Sequence, residues 1–211
     1  MNDVIKDIQE PDYSPVTETY SGAMVSLVDP EPFTIDIEDI ARHLSKISRY
    51  NGATRTEHGY SVAQHSAWVA AAVEVFLDDP EDTGTVMCAL LHDAHEAYMG
   101  DITRPLKSHP GLGSAFKLIE RRLDIAIFVS LNVPMPLLHQ KTVIKQADNW
   151  ALALEARRFM YSGGCHWDLP AVPDLLLPEL QDAMSPDIAY HSFMAAFEII
   201  QNGDSLMELW K

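Results

Sequence analysis

Residues 89–107 read ALLHDAHEAYMGDITRPLK, and the rest of the chain is best understood outward from them. An apolar run, MCALL (87–91), leads directly into an adjacent histidine and aspartate, His92 and Asp93. Ionisable side chains behind so apolar an approach need partners, because burying an unpaired charge is costly. The pattern recurs on either side, with His65 inside VAQHSAWVAAAV (62–73) and Asp148 inside VIKQADNWALAL (143–154). Two imidazoles and two carboxylates form a mixed nitrogen–oxygen donor set that suits a first-row divalent ion such as Mn, Co, Fe, Ni or Zn. Each residue alone has an ordinary reading: a lone helical histidine usually finds a hydrogen bond, and a lone aspartate usually caps or is solvated. The order His…His-Asp…Asp over three segments, each with apolar flanks, favours a metal.

The segments that carry these residues are helical in pattern. Val62 to about Leu77 is Ala- and Val-rich and starts at a Ser61/Gln64 capping-box signature. Val86 to about Met99 predicts a second helix, closed by Gly100, with His92 and Asp93 in its middle. Residues 137–161 predict a third, around Asp148. Further helices are expected over 36–50, where Ile37, Ile40, Leu44 and Ile47 share a face and Asn51–Gly52 end the run, over 114–131, and over 187–201. ITRPLK (102–107) reads as a loop because Pro105 fits no helix interior. The prolines at 170, 173, 178 and 186 allow only short helical pieces in 165–186. Met24–Val28 can form a short strand, but no alternation is long enough for a central sheet. The class is all-α, a helical bundle with a small hairpin near the start. Residues 1–19 read as an acidic N-terminal arm and 20–211 as a single domain.

At this point the chain resembles a known family. His…His-Asp…Asp is the signature of the HD-domain phosphohydrolase superfamily. YSVAQHS (60–66), ALLHDAHEAYMGDITRPLK (89–107) and KQADNWALALEA (145–156) are similar to the blocks of its nucleotidase branch, which holds 5'-deoxynucleotidases and phage-type deoxynucleotide triphosphohydrolases. The resemblance covers roughly Ile37 to Met160. It implies an HD-domain bundle with His65, His92, Asp93 and Asp148 as metal ligands, a deoxynucleotide substrate, a second divalent ion accompanying the nucleotide phosphates, and a homo-oligomer, dimer or hexamer.

Glu96 follows His92 by four residues and Asp93 by three, which puts it on their helix face. There it can orient or deprotonate the attacking water, a catalytic role that its place in the matched block supports. The resemblance implies a sugar contact for Asp101. For Arg49 it implies a contact to phosphate or to a glutamate, and for Tyr50 packing against the base. Lys107 lies near enough to reach a phosphate. The spacing from Arg49 to His65 is about a residue longer than the family pattern, so NGATRTEHG (51–59) can hold an insertion. His95 stands where a small residue is expected, and a role beside the metal or phosphate competes there with simple solvation. Base choice, dATP included, depends on a pocket near Tyr50, Gly52 and Pro105.

The bulk composition sets limits on this reading. A net charge of −16, from 31 acids and 15 bases, repels DNA and anionic lipid, so neither polymeric nucleic acid nor a membrane is expected as partner. An anionic nucleotide therefore needs strong local positive charge, from a metal and a few placed bases. At 47% hydrophobic the chain can build a core, yet no run approaches the ~20 residues of a membrane span. Two unpatterned cysteines, Cys88 and Cys165, fit a reducing cytoplasm. The competing activities are a cyclic-(di)nucleotide phosphodiesterase, which needs further metal ligands, and a non-catalytic nucleotide-binding domain, against which the intact ligands and Glu96 argue.

Overall fold

A computed structural model of the chain describes residues 15–77, 82–174 and 177–210. The elements run β1 (Val16–Glu18), β2 (Met24–Ser26), α1 (Ile37–Leu44), α2 (Val62–Phe76), α3 (Thr83–Leu90), α4 (Glu96–Met99), α5 (Arg104–Lys107), α6 (Gly113–Ser130), α7 (Leu138–Phe159) and α8 (Pro186–Asn202), with 3-10 turns at Pro32–Thr34, Arg49–Gly52 and Leu206–Trp210. The fold is mostly helical, as expected, with one antiparallel hairpin in which Val16 pairs with Ser26 and Glu18 with Met24. That hairpin draws residues 16–18 out of the expected arm. The arm's first fourteen residues, and residues 78–81 of the break expected over 78–84, lie outside the described residues, while Thr83 and Gly84 already belong to α3.

Helix α2 is the axis of the bundle. Its residues Val62 to Val73 are all buried, and it packs against α3, α7 and α8. A helix buried all round must be apolar all round, which explains the run of alanines and valines and leaves His65 as a conspicuous exception. Ser61 caps the helix, its Oγ accepting from the Gln64 backbone N–H at 3.2 Å. The reciprocal half of the expected capping box does not form. The Gln64 side chain instead donates to the Asp182 carbonyl (3.0 Å) and accepts from the Met184 N–H (2.9 Å), pinning the proline-rich segment against the bundle.

Three boundaries differ from expectation. Helix α1 stops at Leu44, and the chain re-enters helical turns only at Arg49; Ile47 and Ser48 meet the loop's far end instead, with Val62 N–H donating to the Ile47 carbonyl and Arg49 N–H to the Tyr60 carbonyl. Pro105 lies inside a short helix, α5, but in its first turn, where a missing N–H costs nothing. The helix expected over 86–99 is broken. Between α3 and α4, residues 91–95 form tightened turns in which Ala94, Glu96, Ala97 and Tyr98 each donate to the carbonyl three residues back. At three residues per turn, side chains i and i+3 fall on one side, and the donor atoms of Asp93, His95 and Glu96 come within 4.8 Å of one another.

Candidate metal centre and active site

Three elements bring the four expected ligands together. His65 projects from the first turn of α2, Asp148 from the middle of α7, and His92 and Asp93 from the tightened turns. The His65 Nε2 atom lies 3.3 Å from His92 Nε2, 3.4 Å from Asp148 Oδ1 and 3.6 Å from Asp93 Oδ2. His92 Nε2 is 3.2 Å from Asp93 Oδ2.

The outer ring nitrogens fix the tautomers. His65 Nδ1–H donates to Glu155 Oε1 at 2.7 Å, and His92 Nδ1–H donates to the Ala89 carbonyl at 2.8 Å. With Nδ1 committed outward, it is Nε2 of each ring that faces inward and that offers its lone pair once a cation displaces any proton there. Two ring nitrogens and two carboxylate oxygens at 3.2–3.6 Å need positive charge among them, from protons or from a metal cation. The donor set and its outer hydrogen bonds therefore fit a divalent metal. The local electrostatics express the same need for positive charge. Burial and the Arg49 guanidinium oppose protonation of His65, yet Glu155 and Asp148 lift its pKa to about 9. Burial would raise Asp93 and Asp148, but the neighbouring imidazoles hold both below the usual carboxylate range.

Glu155, which was not singled out from sequence, organises this end of the site. It is fully buried, seven residues after Asp148 and so two turns along the same face of α7. Besides His65 it accepts from Arg49 Nε at 2.8 Å and from the Tyr50 hydroxyl at 2.6 Å, and these partners keep its pKa down at about 2 despite its burial. Arg49 also extends Nη1 to 3.9 Å from Asp93 Oδ2. Tyr50 and Asn51 adopt left-handed backbone (φ 58° and 52°), a cost that non-glycine residues bear only where their surroundings impose it. Here that turn aims the Tyr50 hydroxyl at Glu155.

A cavity of about 710 Å³ opens beside the four ligands, a volume in the range of small-molecule sites. Arg49, Tyr50, Glu96, Asp101 and Lys107 all line it, with Asp93 and Asp148 at its floor. Glu96 is almost fully buried, and burial followed by the charges of Asp93 and Asp101 raises its pKa to about 8. The left-handed Gly100 (φ 79°) turns the chain out of α4 and delivers Asp101, also raised by burial, to the wall. Lys107 is not free: its Nζ lies 3.0 Å from Glu120 Oε1 and 3.4 Å from Glu96 Oε1. His95, for which solvation was one reading, is buried, with Nδ1 2.9 Å from Asp124 Oδ1.

Of the positions expected to shape the base pocket, Tyr50 and Pro105 line the cavity, and its far wall is Trp167, Asp168 and Leu169 with Met160. Trp167 tilts against Tyr50, ring centroids 5.8 Å apart. The turn before it needs Gly164 (φ 75°), where an added Cβ would come within 2.6 Å of Leu169 Cδ1 and 3.0 Å of Ala156 Cβ. Lys145, also unassigned from sequence, bonds Asp148 Oδ2 at 2.6 Å and stands at the cavity's edge.

Fold and site together define an HD-domain phosphohydrolase. A model of the 5'-deoxynucleotidase YfbR-like family matches residues 35–156, and the chain belongs to that family. Two relatives extend the likeness. An uncharacterized protein of Rhodobacter capsulatus is 37% identical over 141 residues, 65% of this chain and 69% of that protein. The uncharacterized protein YfdR of Escherichia coli K12 is 34% identical over 182 residues, 85% and 92% of the two chains. The wall formed by Trp167 and Asp168 lies beyond the residues matched by the family model. Among the described residues, no helix is long and apolar enough to cross a membrane.

Proposed function

We propose that the chain removes the 5'-phosphate of 2'-deoxynucleoside monophosphates, with His65, His92, Asp93 and Asp148 as the ligands of a divalent transition metal. The observation that carries this reading is the inward convergence of two Nε2 atoms and two carboxylates on the floor of a nucleotide-sized cavity. When bound, the metal supplies Lewis acidity, polarising the phosphoryl group and lowering the pKa of water toward ~7. Glu96, raised to about 8, takes or returns a proton at its carboxylate. Arg49, locked by Glu155, and Lys107 place fixed positive charge beside the phosphate oxygens. Asp101 presents a carboxylate to a sugar hydroxyl. Tyr50 and Trp167 offer the base two aromatic faces.

A second reading is hydrolysis of deoxynucleoside triphosphates. Lys145 and Arg104 line the cavity beyond the ligands and would meet a longer phosphate chain. Phosphate and tripolyphosphate release decides between the two. Purified protein is assayed against all deoxy- and ribonucleoside mono- and triphosphates and cyclic dinucleotides, with Mn, Co, Mg or Zn. Release from deoxynucleoside monophosphates is expected; nucleotide binding without release under any ion would leave a non-catalytic binding domain.

A further inference from the structure

We propose that Asp93, His95 and Glu96 hold a second divalent cation, fixed by the protein next to the first, with Glu120 closing its outer side. The inference needs the first metal centre as read above, but not the identity of the substrate. It begins with orphaned atoms. His95 Nε2 and Glu96 Oε2 are buried polar atoms without a hydrogen-bond partner among the described residues, and Glu120 Oε1, which Lys107 Nζ meets at 3.0 Å, lies 3.9 Å from His95 Nε2. Leaving such atoms unsatisfied is costly, more so when they are charged. Two side by side call for a common partner. Asp93, His95 and Glu96 each present a donor atom within 4.8 Å of the others.

The imidazole of His95 is prepared in the same way as those of His65 and His92. Its Nδ1–H is taken by a carboxylate, Asp124 at 2.9 Å, and this aims Nε2 inward. Carboxylate–histidine–metal relays have this form. Glu96 uses Oε1 toward Lys107 and leaves Oε2 open, and Asp93 uses Oδ2 toward His65, His92 and Arg49. Asp93 therefore has its second oxygen to spare and can bridge the two cations. The tightened turn makes the arrangement possible, because it returns Glu96 to the side of Asp93 and His95.

Charge balance points the same way. The carboxylates of Asp93, Glu96, Asp101, Glu120 and Asp124 gather on this side of the cavity. Lys107 is the nearby fixed cation, and Arg49 is already committed to Glu155. A cavity that receives a phosphate cannot keep such an excess of negative charge. One imidazole and two or three carboxylates suit Mn, Fe, Co or Zn rather than a soft ion, and two-metal centres clamp both oxygens of a phosphoryl transfer.

The test is stoichiometry, read without turnover. Metal-free protein is titrated with Mn²⁺ by calorimetry, and the loaded protein is examined by electron paramagnetic resonance. Wild type should take two equivalents and show an exchange-coupled spectrum. His95→Ala should take one equivalent and show an isolated ion. A wild type that saturates at one uncoupled equivalent, or a His95→Ala protein that still takes two, overturns the proposal. Should His95→Ala lose its helical circular dichroism, Asp124→Asn serves instead, and the second equivalent should bind tenfold or more weakly; unchanged affinity overturns it as well. Phosphate release by a one-equivalent enzyme would remove the second site and leave the proposed function intact. Two equivalents with no phosphate release from any nucleotide would do the reverse.

Discussion

Glu155 Oε1 accepts the Nδ1 proton of His65 across 2.7 Å, and neither side chain has any exposed surface. The bond selects the tautomer that turns Nε2 to the metal position. Through its other oxygen the same carboxylate neutralises Arg49 and anchors Tyr50. Glu155→Gln preserves size but offers a single acceptor oxygen to three donors. Metal affinity should fall about 10–100-fold, and the phosphate KM should rise as Arg49 loses its anchor. Calorimetric metal titration and steady-state kinetics check both. Glu155→Ala should be worse, by roughly 3–5 kcal/mol of stability, because it strands a buried guanidinium. An unchanged melting temperature in that variant would contradict the account.

Asp93→Ala deletes the carboxylate closest to His92 Nε2. Metal content and phosphohydrolase activity should disappear together, with the helical circular dichroism retained, since α2, α7 and α8 pack without it. Elemental analysis of the purified variant makes the measurement. Metal content at the wild-type level would remove Asp93 from the ligand set.

Glu96→Gln keeps the size and the Lys107 contact but cannot take up a proton. The first metal should remain bound by its four ligands while kcat drops by about 10²–10⁴, the usual contribution of a positioned acid–base group. Wild-type turnover in this variant would restrict Glu96 to a structural or ligating role.

The parts of this fold that were legible in sequence are those set by local chemistry. The apolar run around His65 had to be a buried helix, and the Ser61 cap acts within a few residues. The tightened turns at 91–95 were not legible, because bonding to the third rather than the fourth residue back changes no apolar periodicity. They stand where His92 and Asp93 meet His65 of α2, a contact between residues far apart in the chain. Gln64 left its capping box for carbonyl and amide groups more than a hundred residues away. Glu155 carried a weak signal, an acid seven residues after Asp148 on an otherwise apolar face. Trp167 carried none, since its position depends on how the glycine turn at 163–164 folds back over Ala156.

The hairpin is held to the bundle by Asp39, whose Oδ1 accepts from the Ser21 N–H at 2.8 Å and Oδ2 from the Ser21 hydroxyl at 2.7 Å. Burial would raise its pKa, but the Ser21 and Thr19 hydrogen bonds outweigh it and hold the carboxyl below its ordinary value. A carboxylate depressed in the folded state stabilises at pH values above its unfolded pKa, about 3.9, and that stabilisation drains away as pH falls through the folded value. Asp39→Asn should therefore cost about 1–3 kcal/mol near neutrality. The gap between variant and wild type should narrow steadily in denaturant titrations below pH 4. A gap that persists unchanged into acid would mean that shape, and not charge, secures the hairpin.

Trp167 tests whether the cavity recognises a base. Its ring stands 5.8 Å from that of Tyr50, and the two are tilted by 39°, so a base entering the cavity can lie against either face. Stacking a base on an aromatic side chain contributes about 1–3 kcal/mol, which converts to roughly 5–150-fold in affinity. Trp167→Ala should raise the KM for deoxynucleoside monophosphates within that range and leave kcat within about twofold, because the ring lies away from the four ligands. The control is deoxyribose 5-phosphate, which has no base to stack: its hydrolysis should be the same in wild type and variant. Equal losses on the nucleotide and on the sugar phosphate would show that Trp167 supports the wall's folding instead of binding the base, and the aromatic recognition argued for Tyr50 and Trp167 would fall with that result.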